Sequence, residues 1–247
     1  MAGNWDIRRY GSIGSTNDEA RALALAGAAD GTVVVAEGQT AGRGRAGRNW
    51  FSPEGKGLYC SLVARPGRAK EECPSLALVA GLAVCDACET FVEIPAQVKW
   101  PNDVWLAGKK VCGILTELVA RPNRPIVVIV GIGINVNLRA DDLPAELHPT
   151  ATSLAIARGQ PLDRELVLQA VLRTWALRYG KWRAGGFAAL RADYYARAAI
   201  EGHRVAVSFG TERCEGIVRG VDERGALLLE RAPGVVEAII AGDVEAL

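Results

Sequence analysis

Residues 42–50, Gly-Arg-Gly-Arg-Ala-Gly-Arg-Asn-Trp, restrict the fold of this chain more than any other stretch. They follow a β-type run, Thr32–Glu37, and Gly42, Gly44 and Gly47 have the spacing of a dinucleotide-binding turn. That turn needs a helix directly after its third glycine, because the helix N-terminus holds the pyrophosphate. Here Arg48-Asn49-Trp50-Phe51-Ser52-Pro53 follows, with a proline and no helical periodicity. A doubly wound nucleotide fold is therefore excluded on context. The loop still has a definite chemistry. Arg43, Arg45 and Arg48 are fixed cations with planar donor forks suited to carboxylates and phosphates. The interleaved glycines let the backbone come close to a ligand. Such a loop is built to wrap an anion, and the three cations are expected to repel one another, leaving it mobile until an anion lies between them.

Around the loop the pattern alternates. Ser15-Thr16-Asn17-Asp18-Glu19 opens a helix, with Thr16 and Glu19 at capping-box spacing and Gly27 as its stop. Leu58–Ala64 reads as a strand, Ser75–Phe91 as a buried helix, and a short strand ends at Val98-Lys99-Trp100. Pro101-Asn102-Asp103 breaks that strand, and Ala107-Gly108-Lys109-Lys110 reads as a hairpin tip before Val111–Glu117. The β-branched run Pro125–Val130 leads into Gly131-Ile132-Gly133-Ile134-Asn135, where the glycines serve close packing or ligand approach. Two helices, Asp163–Trp182 and Phe187–Ala196, follow. Beyond Ile200 the chain changes to short β runs, Arg204–Phe209, Glu215–Val221, Ala226–Leu229 and Val235–Ile240, which suit a small all-β unit. The expected organisation is α+β, a mixed-sheet domain over 1–199 and a small β domain over 200–247.

The 247 residues, 49% hydrophobic, suffice for one large core and a small appendage. A net charge of +1 gives no global field for nucleic acid or membrane. No run is apolar enough to span a bilayer, and Met1–Arg9 lacks the apolar core of a signal peptide, so a cytoplasmic location is expected. The six cysteines are scattered, and Cys85-Asp86-Ala87-Cys88 lies inside the apolar helix, where core packing outweighs zinc or redox chemistry. The motif regions hold no histidine and no activated serine or cysteine, so a covalent enzyme intermediate is not indicated.

Five segments occur in the order seen in biotin–protein ligases: Ser15-Thr16-Asn17; Gln39–Trp50; Lys99-Trp100-Pro101-Asn102-Asp103; Lys110–Glu117; and Gly131–Asn135. From about residue 10 to the C-terminus the sequence resembles that family, in a short form without an N-terminal DNA-binding domain. The resemblance implies a catalytic domain of the biotin/lipoate ligase type followed by an SH3-like barrel. It also implies ATP and biotin as substrates, Mg2+, and a biotin carboxyl carrier domain as acceptor.

By the same resemblance, Lys110, Arg45 and Asp103 are the catalytic candidates. Biotin would lie among Ser15, Thr16, Asn17, Gln39, Gly42, Arg43, Gly44, Arg45, Lys110 and Gly113. The nucleotide would meet Arg48, Trp50, Asn102 and Asn135, the two asparagines also falling on metal positions. Read from the residues alone, Lys110 is a surface lysine at a hairpin tip, Ser15 and Thr16 are helix caps, and Asp103 stabilises a turn. A lipoate- or octanoate-type ligase and a biotin-binding regulatory module are the alternatives. A DNA-binding repressor is disfavoured by the fourteen residues before Ser15. The family includes monomers and sheet-mediated dimers, so a homodimer stays open. The carrier protein is not named by the sequence.

Overall fold

The computed structural model describes residues 5–122 and 124–247, so the first four residues of the N-terminal segment read above lie outside it. In chain order the larger unit comprises β1 (Asp6–Ile13), α1 (Thr16–Leu25), β2 (Thr32–Gln39), β3 (Gly57–Ala64), α2 (Leu76–Cys88), β4 (Ala96–Lys99), β5 (Asp103–Leu106), β6 (Lys109–Val119), β7 (Val127–Asn135), α3 (Leu154–Arg158), α4 (Arg164–Gly185) and α5 (Arg191–Tyr195). Its seven strands form one sheet in the order β1-β2-β3-β7-β6-β5-β4. Only the β1–β2 pair is parallel, so the sheet is mixed. The smaller unit, β8 (Arg204–Phe209), β9 (Glu212–Val221), β10 (Leu227–Ala232), β11 (Val235–Ile239) and β12 (Asp243–Ala246), is a five-stranded antiparallel sheet. The α+β reading holds.

The layers follow from where apolar residues fall. Every residue of β3 is buried, as a strand covered on both faces requires. One face carries α2, buried along nearly its whole length, backed by α4. The other face carries α1, whose Ala20 and Ala24 pack on Val34, Val63 and Ile129. Each large side chain so buried contributes about 1.5–3 kcal/mol. Cys60, Cys73, Cys85, Cys88 and Cys112 are free thiols in this core, and burial pushes those of Cys60 and Cys88 up to about 12. Trp100 is buried and donates Nε1–H to Gly225 O at 3.0 Å, tying the larger unit to the smaller.

Several local expectations are corrected. Ser15, not Thr16, is the N-cap of α1, and no side chain caps it. Thr16 is instead drawn to tertiary partners. The hairpin tip is Ala107-Gly108 alone, both at positive φ, and Lys109 and Lys110 already belong to β6. The helix expected over Phe187–Ala196 is a 3-10 turn, Phe187–Leu190, followed by the short α5. β1, β5, β12 and α3 were not anticipated.

Candidate active site

Two cross-strand rows on the α1 face form the floor of the site. The first runs Tyr59–Gly133–Gly113–Asp103–Lys99 through β3, β7, β6, β5 and β4. The second runs Val34–Ser61–Gly131–Leu115 through β2, β3, β7 and β6. Opposed residues share a face, so these rows place glycines from two motifs side by side. Absence of Cβ atoms is what lets other groups lie on the sheet. A Cβ on Gly133 would sit 2.4 Å from Trp50 Nε1, one on Gly113 2.9 Å from Trp50 Cζ3, and one on Gly131 2.2 Å from Asn17 Oδ1. The indole of Trp50 therefore rests flat over Gly113 and Gly133.

Lys110 reaches this floor through a β-bulge. Asp103 opposes Gly113 and Val104 opposes Cys112, but Trp105 opposes Lys110, so Val111 is an extra residue on β6. In a regular strand residues 110 and 113 would point to opposite faces. The bulge turns Lys110 onto the face of Gly113, where an added Cβ would meet Lys110 Cε at 3.3 Å. Its backbone is fixed by Lys110 N–H to Thr150 O, 2.8 Å, and Thr152 N–H to Lys110 O, 2.9 Å. Lys110 Nζ then lies 2.7 Å from Asp103 Oδ1 and 5.2 Å from the centre of the Trp50 ring. The Lys110–Asp103 contact is a charge pair off hydrogen-bond alignment. Asp103 Oδ1 and Trp50 Nε1 are both buried without a hydrogen-bond partner among the described residues. Lys109 points away and donates to His148 O at 3.0 Å.

A polar network occupies the other end of the floor. Gln39 Oε1 accepts from Thr16 N–H at 2.9 Å and Thr16 Oγ1 at 3.1 Å, and Gln39 Nε2 donates to Ser52 Oγ at 3.0 Å. Ser61 Oγ lies 2.8 Å from Thr16 Oγ1 and 2.6 Å from Asn17 Oδ1, and Asn17 Nδ2 donates to Glu117 Oε2 at 2.7 Å. Ser15, Thr16 and Asn17 are buried. Gly42 is needed where the loop crosses this network, since a Cβ there would lie 2.7 Å from both Ser52 Oγ and Trp50 O.

The arginine loop folds over the floor as a small hairpin, closed by Trp50 N–H to Gly42 O, 2.9 Å, and Gly44 N–H to Arg48 O, 2.7 Å. The expected mutual repulsion of its cations is answered by carboxylates of the protein itself. Arg43 forks onto Asp18 at 2.6 and 2.7 Å and reaches Glu117 at 3.4 Å. Arg48 pairs with Asp243 of β12 at 2.8 Å. Arg45, its guanidinium pKa lowered chiefly by burial, lies 3.4 Å from Asn102 Oδ1 and 3.3 Å from Gly242 O. Asn102 Nδ2 donates to Ile114 O at 2.7 Å, and Asn135, buried, donates to Thr152 O at 2.9 Å.

The structure thus gathers Lys110, Asp103, Gly113, Arg45, Asn102 and Trp50 at one end of the floor and Ser15, Thr16, Asn17, Gln39, Gly42 and Arg43 at the other. Trp50 spans Gly113 and Gly133, its ring centre 5.2 Å from Lys110 Nζ, and Asn135 stands two residues beyond Gly133 on the same face of β7. Sequence reasoning missed Ser61, Ser52, Asp18 and Asp243, and gave no role to Lys99 or Glu117. The last two stand inside quoted motifs, which was the available signal.

Residues 12–135 match the biotin/lipoate A/B protein ligase family, and residues 202–246 match the biotin protein ligase C-terminal domain. The chain is 41% identical over 235 residues to the bifunctional ligase/repressor BirA of Bacillus subtilis, covering 94% of this chain and 71% of that protein. It is 38% identical to the biotin--[acetyl-CoA-carboxylase] ligase of Mycobacterium tuberculosis, covering 94% and 85%. Its backbone superposes on a biotin protein ligase from Aquifex aeolicus, in complex with biotin and ATP, with a TM-score of 0.84 at 33% identity, over 97% of both chains.

Proposed function

The chain belongs to the biotin/lipoate A/B protein ligase family, and from that premise we propose how its residues carry out ATP-dependent biotin–protein ligation. The observation that carries the assignment of roles is the convergence of Lys110 and Arg45 on the Asp103–Asn102 corner of a glycine floor. Two anions, a carboxylate and a polyphosphate, must be brought together there against their repulsion, and fixed cations do this best where they are partly buried.

In the first step a biotin carboxylate oxygen attacks the α-phosphorus of ATP. The P–O bond to the β-phosphate breaks, and pyrophosphate leaves with the electron pair. Lys110 takes up the charge on the reacting carboxylate and α-phosphate, Arg45 closes over the acyl-adenylate as it forms, and Arg48 guides the departing phosphates. Thr16, Gln39 and Asn17 present hydrogen-bonding groups to the neutral ureido ring, while Ser15 and Gly44 line that end. Magnesium arrives with ATP as part of the substrate. Asn102 and Asn135 would offer that hard cation neutral amide oxygens, and the ion would neutralise phosphate charge.

In the second step the ε-amine of a carrier lysine attacks the acyl carbon. The C–N bond forms, the anhydride C–O bond breaks, AMP departs, and the amine's proton passes to Asp103. The Lys110–Asp103 pair suits both steps, since the lysine stabilises the anion while the aspartate awaits the amine. The acceptor is the carrier domain of a biotin-dependent carboxylase. We place the boundary between catalytic and C-terminal domains at residues 199 and 200. Six free cysteines, and an acceptor that works on metabolites, favour the cytoplasm. Among the described residues no helix is long and apolar enough to cross a membrane. Incubation with radiolabelled biotin and MgATP should release pyrophosphate and give a hydroxylamine-sensitive acyl-adenylate. Adding a carrier domain should then convert the label to an acid-stable amide. Label that never becomes an adenylate would sink the reading.

A further inference from the structure

Resting on the ligase reading, we propose that the cavity between the β4–β5 edge and the C-terminal sheet receives an apolar side chain of the carrier, one that flanks the acceptor lysine. The cavity measures about 240 Å³, and its walls include Lys99, Trp105, Ile200, Arg204, Val244 and Ala246. That is well above the roughly 10–15 Å³ one water needs.

Its position argues for this occupant. The catalytic row Gly133–Gly113–Asp103 ends at Lys99, which opposes Asp103 and forms part of the cavity wall. Trp105 stands two residues beyond Asp103 on the same face of β5, roughly 7 Å further along a strand. On the far side, Val244 and Ala246 follow Asp243, whose carboxylate holds Arg48 over the site. The reaction centre and the cavity are therefore neighbouring compartments of one surface. A peptide that sets its lysine amine on Asp103 carries its next side chains one or two residues, about 3.3–7 Å, away, which is the offset of Trp105.

The lining sets the chemistry. Trp105, Ile200, Val244 and Ala246 offer an apolar wall. Lys99, poised over the Trp105 ring at 4.9 Å with its ammonium pKa lowered chiefly by burial, adds positive charge to the lining, while Arg204 is already paired with Glu215 at 3.6 Å. A lysine or arginine next to the acceptor lysine would meet like charge, so the pocket both attracts apolar flanks and rejects basic ones.

Ala246 is exposed on an edge strand, so Ala246→Trp fills the mouth without disturbing the core. With biotin and MgATP alone, its pyrophosphate release should stay within twofold of the parent, as should aminolysis of the adenylate by hydroxylamine. Its KM for the carrier domain of an acetyl-CoA carboxylase should rise about ten- to hundredfold. In a second arm, the apolar residues within two positions of the carrier's lysine are cut back to alanine. The parent enzyme should lose a similar factor, and Ala246→Trp should be indifferent to the truncation. A carrier KM within twofold of the parent, or equal penalties for full and truncated carriers, would overturn the proposal. Absence of pyrophosphate release from the parent chain would instead refute the ligase reading.

Discussion

Gly131→Ala puts the glycine floor to a quantitative test. The new methyl would lie 2.2 Å from Asn17 Oδ1 and 2.9 Å from Asn17 Cγ, against 3.4–4 Å for ordinary contact. Gly131 is held in the middle of the sheet between β3 and β6, so the Asn17 side chain must yield by more than an ångström. Moving it breaks the 2.6 Å bond with Ser61 and strains the 2.7 Å bond to Glu117. Leaving a buried polar group unpaired costs about 1–3 kcal/mol, and overpacking adds about 1–3 kcal/mol. A total of about 2–6 kcal/mol follows, and at about 2–4 °C per kcal/mol for a chain of this size Tm falls by roughly 4–24 °C. Because Ser61 also touches Thr16, KM for biotin should rise with it. Gly180→Ala serves as control. Its Cβ meets nothing within 4 Å on the exposed side of α4, so it should stabilise by about 0.5–1 kcal/mol. Differential scanning calorimetry and pyrophosphate release against biotin concentration read both. A Gly131→Ala Tm within 2 °C of the parent, with biotin KM unchanged, would refute the packing argument.

Arg45→Gly should still make the adenylate but retain it poorly, because Arg45 ties the loop to Asn102 and Gly242 while Lys110 still serves the phosphoryl chemistry. With biotin and MgATP it should label lysines of added serum albumin on a streptavidin blot, and clean albumin beside a normal adenylate yield would count against retention by the arginine loop. Asp142 accepts from Arg139 N–H at 2.8 Å and Lys56 Nζ at 3.1 Å, which holds its carboxyl at about 2 against an ordinary 3.8. A depressed carboxylate stabilises the fold above the ordinary value, and the contribution fades as pH falls from about 4 toward 2. A carbon-detected NMR titration should give that low midpoint, moved upward in Lys56→Ala, and a midpoint near 3.8 in the parent would refute it.

What the sequence revealed depended on how local the cause was. The apolar runs behind β2, β3, β7 and β8 were readable because burial selects their composition. β1 was invisible: Asp6-Ile7-Arg8-Arg9-Tyr10-Gly11-Ser12-Ile13 lies at a sheet edge, largely exposed, and carries no clean alternation. β5 and β12, four residues each, are too short to show a period. Thr16 looked like a cap because its spacing to Glu19 is right, yet Gln39 and Ser61, distant in sequence, bond it instead. The motif residues of the site were legible. The bulge at Val111 that turns Lys110 inward was not, nor were the carboxylates that hold the arginines. Arg48 and Asp243 are 195 residues apart, and no local rule links them.

In the proposed mechanism Lys110, turned onto the glycine floor beside Asp103, stabilises the charge that develops when biotin meets ATP. The most direct measurement is single-turnover pyrophosphate release from biotin and MgATP by the parent chain and by Lys110→Ala, with Tm recorded for both. Removing one cation from a developing anionic centre costs about 10²–10³ in rate. The expected result is a loss of that size with Tm unchanged, since Lys110 is part-exposed and its backbone bonds to Thr150 and Thr152 do not need the side chain. A Lys110→Ala rate within a few-fold of the parent would contradict it.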